Sequence, residues 1–89
     1  MNQEIPLSQL CEKQTALVAG LRARGTMRRR LRDLGLTDGA RVVCLQKSQW
    51  GDPTAYLIRG AVIALRACDA GLVLAKEVGA DGAREPRRA

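Results

Sequence analysis

The sequence predicts a small, mainly β domain in which one short α-helix accompanies about five strands, arranged as an antiparallel barrel. Three observations support this fold class. The chain has 89 residues, enough for one domain with a modest core. Short apolar runs alternate with turns that contain glycine or proline, as in small barrels. One further stretch repeats its apolar residues at helical spacing, which predicts a single helix.

The strands are predicted from short apolar segments between turn residues. Thr15–Leu21 carries no charge, and Gly20 within it indicates a bulge. The run 61–65 has no polar break, so we expect it among the more buried strands. The predicted strands are residues 15–21, 41–46, 54–59, 61–65 and 72–78, with residues 5–10 as a lead-in and a helical turn at 67–70.

The helix is predicted over residues 26–34. Met27, Leu31 and a further leucine recur at i, i+4 and i+7, which places them on one face. Thr26 is a suitable N-cap, and Gly35 stands where a left-handed residue commonly ends a helix. The arginines of this segment must therefore project from its flanks and its opposite face.

Positive charge is concentrated in one place. The chain has 15 Lys and Arg against 9 Asp and Glu, a formal charge of +6. Six arginines and no acid lie within residues 22–32, which leaves nine basic and nine acidic residues elsewhere. The cluster predicts a surface for an acidic protein, a phosphate or an anionic membrane face. The alternative is a solvated helix face whose arginine stems pack over the barrel.

A loop over residues 47–53, with glycine and proline, joins the second and third predicted strands. Trp50 within it is a candidate interface anchor, because buried tryptophan is a frequent hot spot. The alternative is a ring folded over the open end of the barrel. The predicted partner-binding residues are Arg28, Arg29, Arg30, Arg32, Trp50 and Asp52.

Several function classes are excluded by composition. The chain has no histidine, the commonest general base, and no glycine-rich phosphate loop, so we predict that it is not an enzyme. Aromatic residues make up 2%, which argues against nucleic-acid binding by base stacking. No apolar run approaches the length of a membrane helix, so no membrane insertion is expected. Three dispersed cysteines fit a reducing cytoplasm.

Metal binding is only weakly indicated. Cys68 and Asp69 are the one adjacent pair of a soft and a hard ligand, and they are the candidates for a transition metal ion such as Fe²⁺ or Zn²⁺. Cys44 lies in an apolar strand and is interpreted as a core residue. Residues 79–89 contain no large apolar side chain, so we expect a domain at 1–78 and a disordered tail after it.

Three motifs in series suggest a family. Residues 28–36 read RRRLRDLGL and are followed by Asp-Gly at 38–39, residues 51–53 read GDP, and residues 60–70 read GAVIALRACDA. Over residues 5–78 the chain resembles FeoA, a small protein of bacterial ferrous-iron uptake. Lys13 is a departure, because many members have glycine there.

The resemblance implies an SH3-like barrel and a cytoplasmic accessory role beside FeoB, the membrane iron transporter with a G-protein domain. We therefore expect a non-enzymatic protein that docks on the cytoplasmic part of a FeoB-like transporter. Two alternatives stay open at this point. One is a small basic nucleic-acid-binding barrel, and the other is a metal-sensing interaction domain.

Overall fold

Six short strands form one antiparallel sheet in the computed structural model, which describes residues 3–48 and 52–78. The strands are β1 (Glu4–Pro6), β2 (Thr15–Leu21), β3 (Arg41–Lys47), β4 (Thr54–Ile58), β5 (Ala61–Leu65) and β6 (Val73–Val78). The helices are α1 (Gly25–Asp33) and α2 (Ala67–Ala70), and a 3-10 turn follows β1 at Leu7–Gln9. The strand order in the sheet is β1-β6-β2-β3-β4-β5.

The sheet curls so that its two end strands, β1 and β5, approach each other through the elements that follow them. The 3-10 turn after β1 contacts α2, which comes shortly after β5. The buried Tyr56 on β4 also donates a hydrogen bond from its hydroxyl to the carbonyl oxygen of Leu7, at 3.3 Å. The arrangement is a small barrel with one main helix, as the sequence predicts.

β1 is the strand that the sequence did not predict. It has three residues and, within the described part of the chain, pairs only with β6, through Glu4 opposite Lys76, Ile5 opposite Ala75 and Pro6 opposite Leu74. Proline has no backbone N–H to donate. An edge strand tolerates it because one side of such a strand makes no hydrogen bonds to a neighbouring strand. The sheet therefore has six strands rather than about five.

The prediction that residues 61–65 are among the more buried is wrong. β5 is an end strand of the sheet, and most of its side chains are exposed. Val62 is 67% exposed, while Leu65 is buried. An apolar run indicates a strand, but its place in the strand order depends on pairing with distant segments, which the run itself does not encode.

α1 begins and ends one residue earlier than predicted. Its N-cap is Arg24, which makes no side-chain capping bond, so the prediction of Thr26 as N-cap is wrong. The C-terminus is as expected, because Gly35 has a φ of 103°. The amide of Leu36 donates to the carbonyl of Leu31, and that of Gly35 donates to Arg32. This pair of bonds is the Schellman motif, which satisfies carbonyls at the helix end.

The core lies on the inner face of the curled sheet, and α1 contributes to it. Leu31 is 1% exposed, and Met27 and Leu34 pack against the core from the same face of α1. Cys44 is fully buried, as predicted, and burial raises the pKa of its thiol. The largest fully buried side chains are Tyr56, Leu7, Leu10, Leu31, Leu36, Ile58, Val42, Val73 and Cys44.

Two local features of the backbone follow from the sequence. The pairing of β2 with β6 shifts register between Val18 and Gly20, which is the bulge that Gly20 indicates. Lys13 has a φ of 71°, the left-handed region that glycine adopts most easily. The turn still forms there, and the Lys13 amide donates to the carbonyl of Cys44 at 2.6 Å.

Replacing Gly35 tests how far the end of α1 depends on glycine. A Cβ at this position would lie 3.1 Å from Cδ of Arg59 and 3.2 Å from Cγ2 of Ile58, and the backbone is left-handed. We expect Gly35→Ala to lower the free energy of unfolding by about 2 kcal/mol, measured by urea denaturation. Gly39→Ala, with a φ of 82° but open space, should lose about 1 kcal/mol from the backbone alone. Equal losses would show that the contact at Gly35 has no energetic effect.

We expect Tyr56 to make the folded protein less stable at alkaline pH. Burial raises the pKa of its phenol from 10.0 to about 12. Because the folded chain holds this proton more tightly than the unfolded chain, the free energy of unfolding should fall as pH rises from 10 towards 12. Tyr56 is the only tyrosine, so phenolate absorbance reports it alone. Tyr56→Phe should reduce the slope of stability against pH, and an unchanged slope would contradict the assignment.

Candidate partner-binding surface

The arginines of α1 point away from the core. The face that carries Leu31 packs inward, so the flanking and opposite positions are left to solvent, and Arg28, Arg29, Arg30 and Arg32 are all exposed. Long charged side chains keep their head groups in water while their stems cover apolar surface. The amphipathic pattern read from the sequence therefore sets the direction of these four side chains.

Arg28 lies where three surface depressions meet. The depressions have volumes of about 280, 300 and 630 Å³. We call the surface around them the arginine face, and its members are Arg22, Arg24, Arg28, Arg29 and Arg32. The lining also includes Asp33 and Asp38. Guanidinium groups donate paired hydrogen bonds to carboxylates and phosphates, so this surface suits an anionic partner.

Arg30 and Arg32 have a different setting from Arg28 and Arg29. Both lie in the last turn of α1. Positive side chains near the C-terminal end of a helix interact favourably with its dipole. The helix dipole therefore stabilises the positive charge of Arg30 and Arg32. It does not stabilise that of Arg22, Arg24 and Arg28, which lie near the N-terminal end of α1.

The loop between β3 and β4 is described only in part, because Trp50 lies outside the described residues. Asp52 is described, and its carboxylate accepts a hydrogen bond from the amide of Ala67 at 2.8 Å. Its own amide donates to Oγ of Ser48 at 2.8 Å. Asp52 therefore caps the first turn of α2. Sequence reasoning missed this role because the two residues are 15 positions apart and no local pattern connects them.

The two predicted contact elements lie at opposite ends of the β3–β4 hairpin. α1 leads into the start of β3, near Arg41, whereas the loop with Asp52 follows its end, near Lys47. Seven residues of extended strand separate these ends by roughly 20 Å. The structure therefore does not bring Asp52 next to the arginines, and only a partner with an extended surface can contact both.

The candidate metal ligands find no further donors nearby. Sγ of Cys68 lies 3.9 Å from Oδ1 of Asp69, while Cys44 is buried and Cys11 is exposed. In the described residues, no three His, Cys, Asp or Glu side chains converge as a metal site requires. Among the described residues, Cys68 and Asp69 therefore lack the third donor that such a site requires.

Arg59 has a structural role that the sequence did not indicate. The sequence analysis predicted only that it ends the strand at residues 54–59. It occupies the turn between β4 and β5, where its φ is 50° and that of Gly60 is 84°. Its side chain donates from Nε to the carbonyl of Gly35 at 3.4 Å and from Nη2 to Oγ1 of Thr37 at 3.0 Å. Arg59 thus connects this turn to the C-terminal end of α1.

The FeoA domain model matches residues 5–77. The chain belongs to the FeoA family. A search of curated proteins returned no match. Solved structures include FeoA from Chlorobium tepidum, which is 31% identical with a TM-score of 0.78 over 84% of this chain and 71% of that one.

A FeoA-like protein from Clostridium acetobutylicum is 28% identical with a TM-score of 0.82, over 89% of this chain and 92% of that one. FeoA from Stenotrophomonas maltophilia, described as a prokaryotic SH3 domain protein complexed with zinc, is 28% identical with a TM-score of 0.70 over 92% and 93% of the two chains. The SH3-like fold and the FeoA resemblance predicted from the sequence are confirmed. A manganese-dependent transcriptional repressor shares the fold at 18% identity, with a TM-score of 0.76 over 88% of this chain and 44% of that one.

Two substitutions at Asp52 separate the effect of its capping bond from the effect of its charge. Asp52→Ala removes the acceptor for the Ala67 amide and should lower the free energy of unfolding by about 1 kcal/mol. Asp52→Asn keeps an acceptor oxygen but removes the charge, so most of the stability should return in thermal or urea denaturation. If Asn is as destabilising as Ala, the negative charge matters rather than the capping bond.

Proposed function

We propose that this FeoA-family protein is a non-enzymatic accessory protein of bacterial ferrous-iron uptake. It acts in the cytoplasm by docking on the cytoplasmic part of a FeoB-like transporter. The observation that carries the proposal is the arginine face, where the basic side chains surround adjoining depressions while the apolar side of α1 is occupied by the core. Family membership supports the coarser role in ferrous-iron transport.

Electrostatics supports a binding role for the arginine face. Arg28 and Arg32 are one helical turn apart, and like charges at this spacing destabilise a helix by a few tenths of a kcal/mol. Arg22 and Arg24 add to the same surface near the N-terminal end of α1, where the helix dipole disfavours positive charge. An acidic surface on a partner relieves both effects and increases the rate of association.

The β3–β4 loop is the second contact in this proposal, through Trp50 and Asp52. Its distance from α1, roughly 20 Å along β3, fits within a protein interface, since an interface of standard size is roughly 30 Å across. A small ligand does not span that distance. The proposal therefore assigns the two elements to a macromolecular partner.

In the described residues, no helix combines the length and apolarity needed to cross a membrane.

Binding to the cytoplasmic domain of a FeoB-like transporter tests the proposal directly. Arg28→Glu/Arg29→Glu/Arg32→Glu should weaken binding at least about tenfold, because three charges of the arginine face reverse. The affinity of the unmodified chain should also fall with added salt, as exposed charges are screened. Isothermal titration calorimetry measures the affinity of the variant and the salt dependence of the unmodified chain. Repeating it with and without guanine nucleotide shows whether the nucleotide state of the partner changes the affinity.

The matched control reverses three basic residues elsewhere. Lys13, Arg66 and Lys76 are exposed and lie outside α1, so changing all three to Glu gives the same net charge without altering the arginine face. If this control loses as much affinity as the α1 variant, the effect is one of total charge and the docking surface is wrong. Equal binding by all three proteins contradicts docking through α1. Retardation of duplex DNA in low salt would favour the nucleic-acid alternative.

A further inference from the structure

The outer face of the sheet carries an apolar row across three strands. Val43 on β3 is opposite Leu57 on β4, which is opposite Val62 on β5. Val43 and Leu57 are half-buried, and Val62 is 67% exposed. Their neighbours in sequence, Val42 and Ile58, point inward and are fully buried. The row is therefore the solvent side of a sheet whose other side forms the core.

A basic row runs beside the apolar one. Arg41 lies two residues before Val43 on the same face of β3 and is opposite Leu17 of β2, which is 38% exposed. Arg59 follows β4 at the same end of the β3–β4 hairpin, so the two exposed arginines flank one groove. The groove has a volume of about 420 Å³, and Val43 and Leu57 lie in its lining.

The charges of this groove are not balanced by its own lining, which contains no acid. Glu4 is an acid on the same face, but it lies on β1, two strands away from Leu17, and is directly opposite Lys76. Arg41 and Arg59 line the same groove, so their like charges repel each other. Arg59 also adopts a left-handed backbone conformation, which is unfavourable for a residue other than glycine. Two of its donor groups are bonded to Gly35 and Thr37, which leaves three N–H groups for another acceptor.

The spacing of the two rows matches an extended peptide. Residues two apart on a strand lie about 7 Å apart on the same face, which is the distance between the basic and apolar rows. Leu17 and Val62 are the exposed large apolar side chains of the described residues, and both lie on this face. A partner with a carboxylate and an apolar side chain at alternate positions complements the charge and the apolar surface together.

We propose that the outer sheet face formed by Leu17, Arg41, Val43, Leu57, Arg59 and Val62 is a second docking surface, which binds an extended partner segment with a carboxylate and an apolar side chain two residues apart. Arg41 and Arg59 bind the carboxylate, and the apolar side chain lies over Val43, Leu57 and Val62. None of these residues belongs to the arginine face, so the proposal does not rest on docking through α1.

Peptide titration of the full-length, ¹⁵N-labelled chain tests the proposal. The probe is acetyl-Thr-Asp-Thr-Leu-Thr-amide, in which the carboxylate and the leucine lie on one side of an extended chain. Its isomer acetyl-Thr-Asp-Leu-Thr-Thr-amide has the same composition and charge but places them on opposite sides. We expect the probe to shift amides of residues 39–43 and 57–62, with shifts at least about threefold larger than those caused by the isomer.

Variants make the assignment specific. Arg41→Gln and Val62→Ser change exposed side chains, and each should reduce the shifts at equal peptide concentration by about threefold or more. Arg66→Gln removes an exposed arginine outside this face and should leave them unchanged. The titration is repeated in Arg28→Gln/Arg29→Gln/Arg32→Gln, so that peptide attraction to the arginine face is weakened. Equal shifts from both peptides, shifts confined to residues 22–32, or no effect of Arg41→Gln would each overturn the proposal, whatever the outcome for FeoB binding.

Discussion

The Schellman motif at the end of α1 determines which surfaces this protein presents. The bond from the Leu36 amide to Leu31 turns the chain back at Gly35, so that Leu31 and Leu36 are both buried. Because that face of α1 belongs to the core, the arginines on its other faces must face solvent. Arg59 joins the β4–β5 turn to the same helix end through Gly35 and Thr37. One helix terminus therefore orients the arginine face and one wall of the outer groove.

The molecule separates its positive charge into two chemically different surfaces. The arginine face is mainly polar and surrounds shallow depressions on α1, so it suits long-range attraction to an acidic surface. The outer sheet face combines two arginines with half-buried and exposed apolar side chains, so it suits contact at short range. The two surfaces lie on separate elements, so one partner segment on the arginine face leaves the outer sheet face accessible to another.

The fold class and most elements were predictable because their signals are local. Five strands, the bulge at Gly20, the helix and its C-terminal glycine all follow from patterns within a few residues. The errors concern longer-range features. β5 carries an apolar run but lies at the end of the sheet, and β1 is a strand because β6 pairs with it. Thr26 is a suitable type of residue for an N-cap. The helix nevertheless begins at Gly25, so the N-cap is Arg24.

By itself, the sequence determined the FeoA-family barrel, the concentration of charge on one helix and the outward direction of its arginines, because helical periodicity places apolar and charged residues on opposite faces. Only the tertiary structure decided which separate segments meet. Strand pairing brings Leu17 beside Arg41 and Val43 beside Leu57, and Asp52 caps α2 across 15 positions. These contacts depend on strand order and register, which arise from the packing of the whole chain rather than from any local pattern.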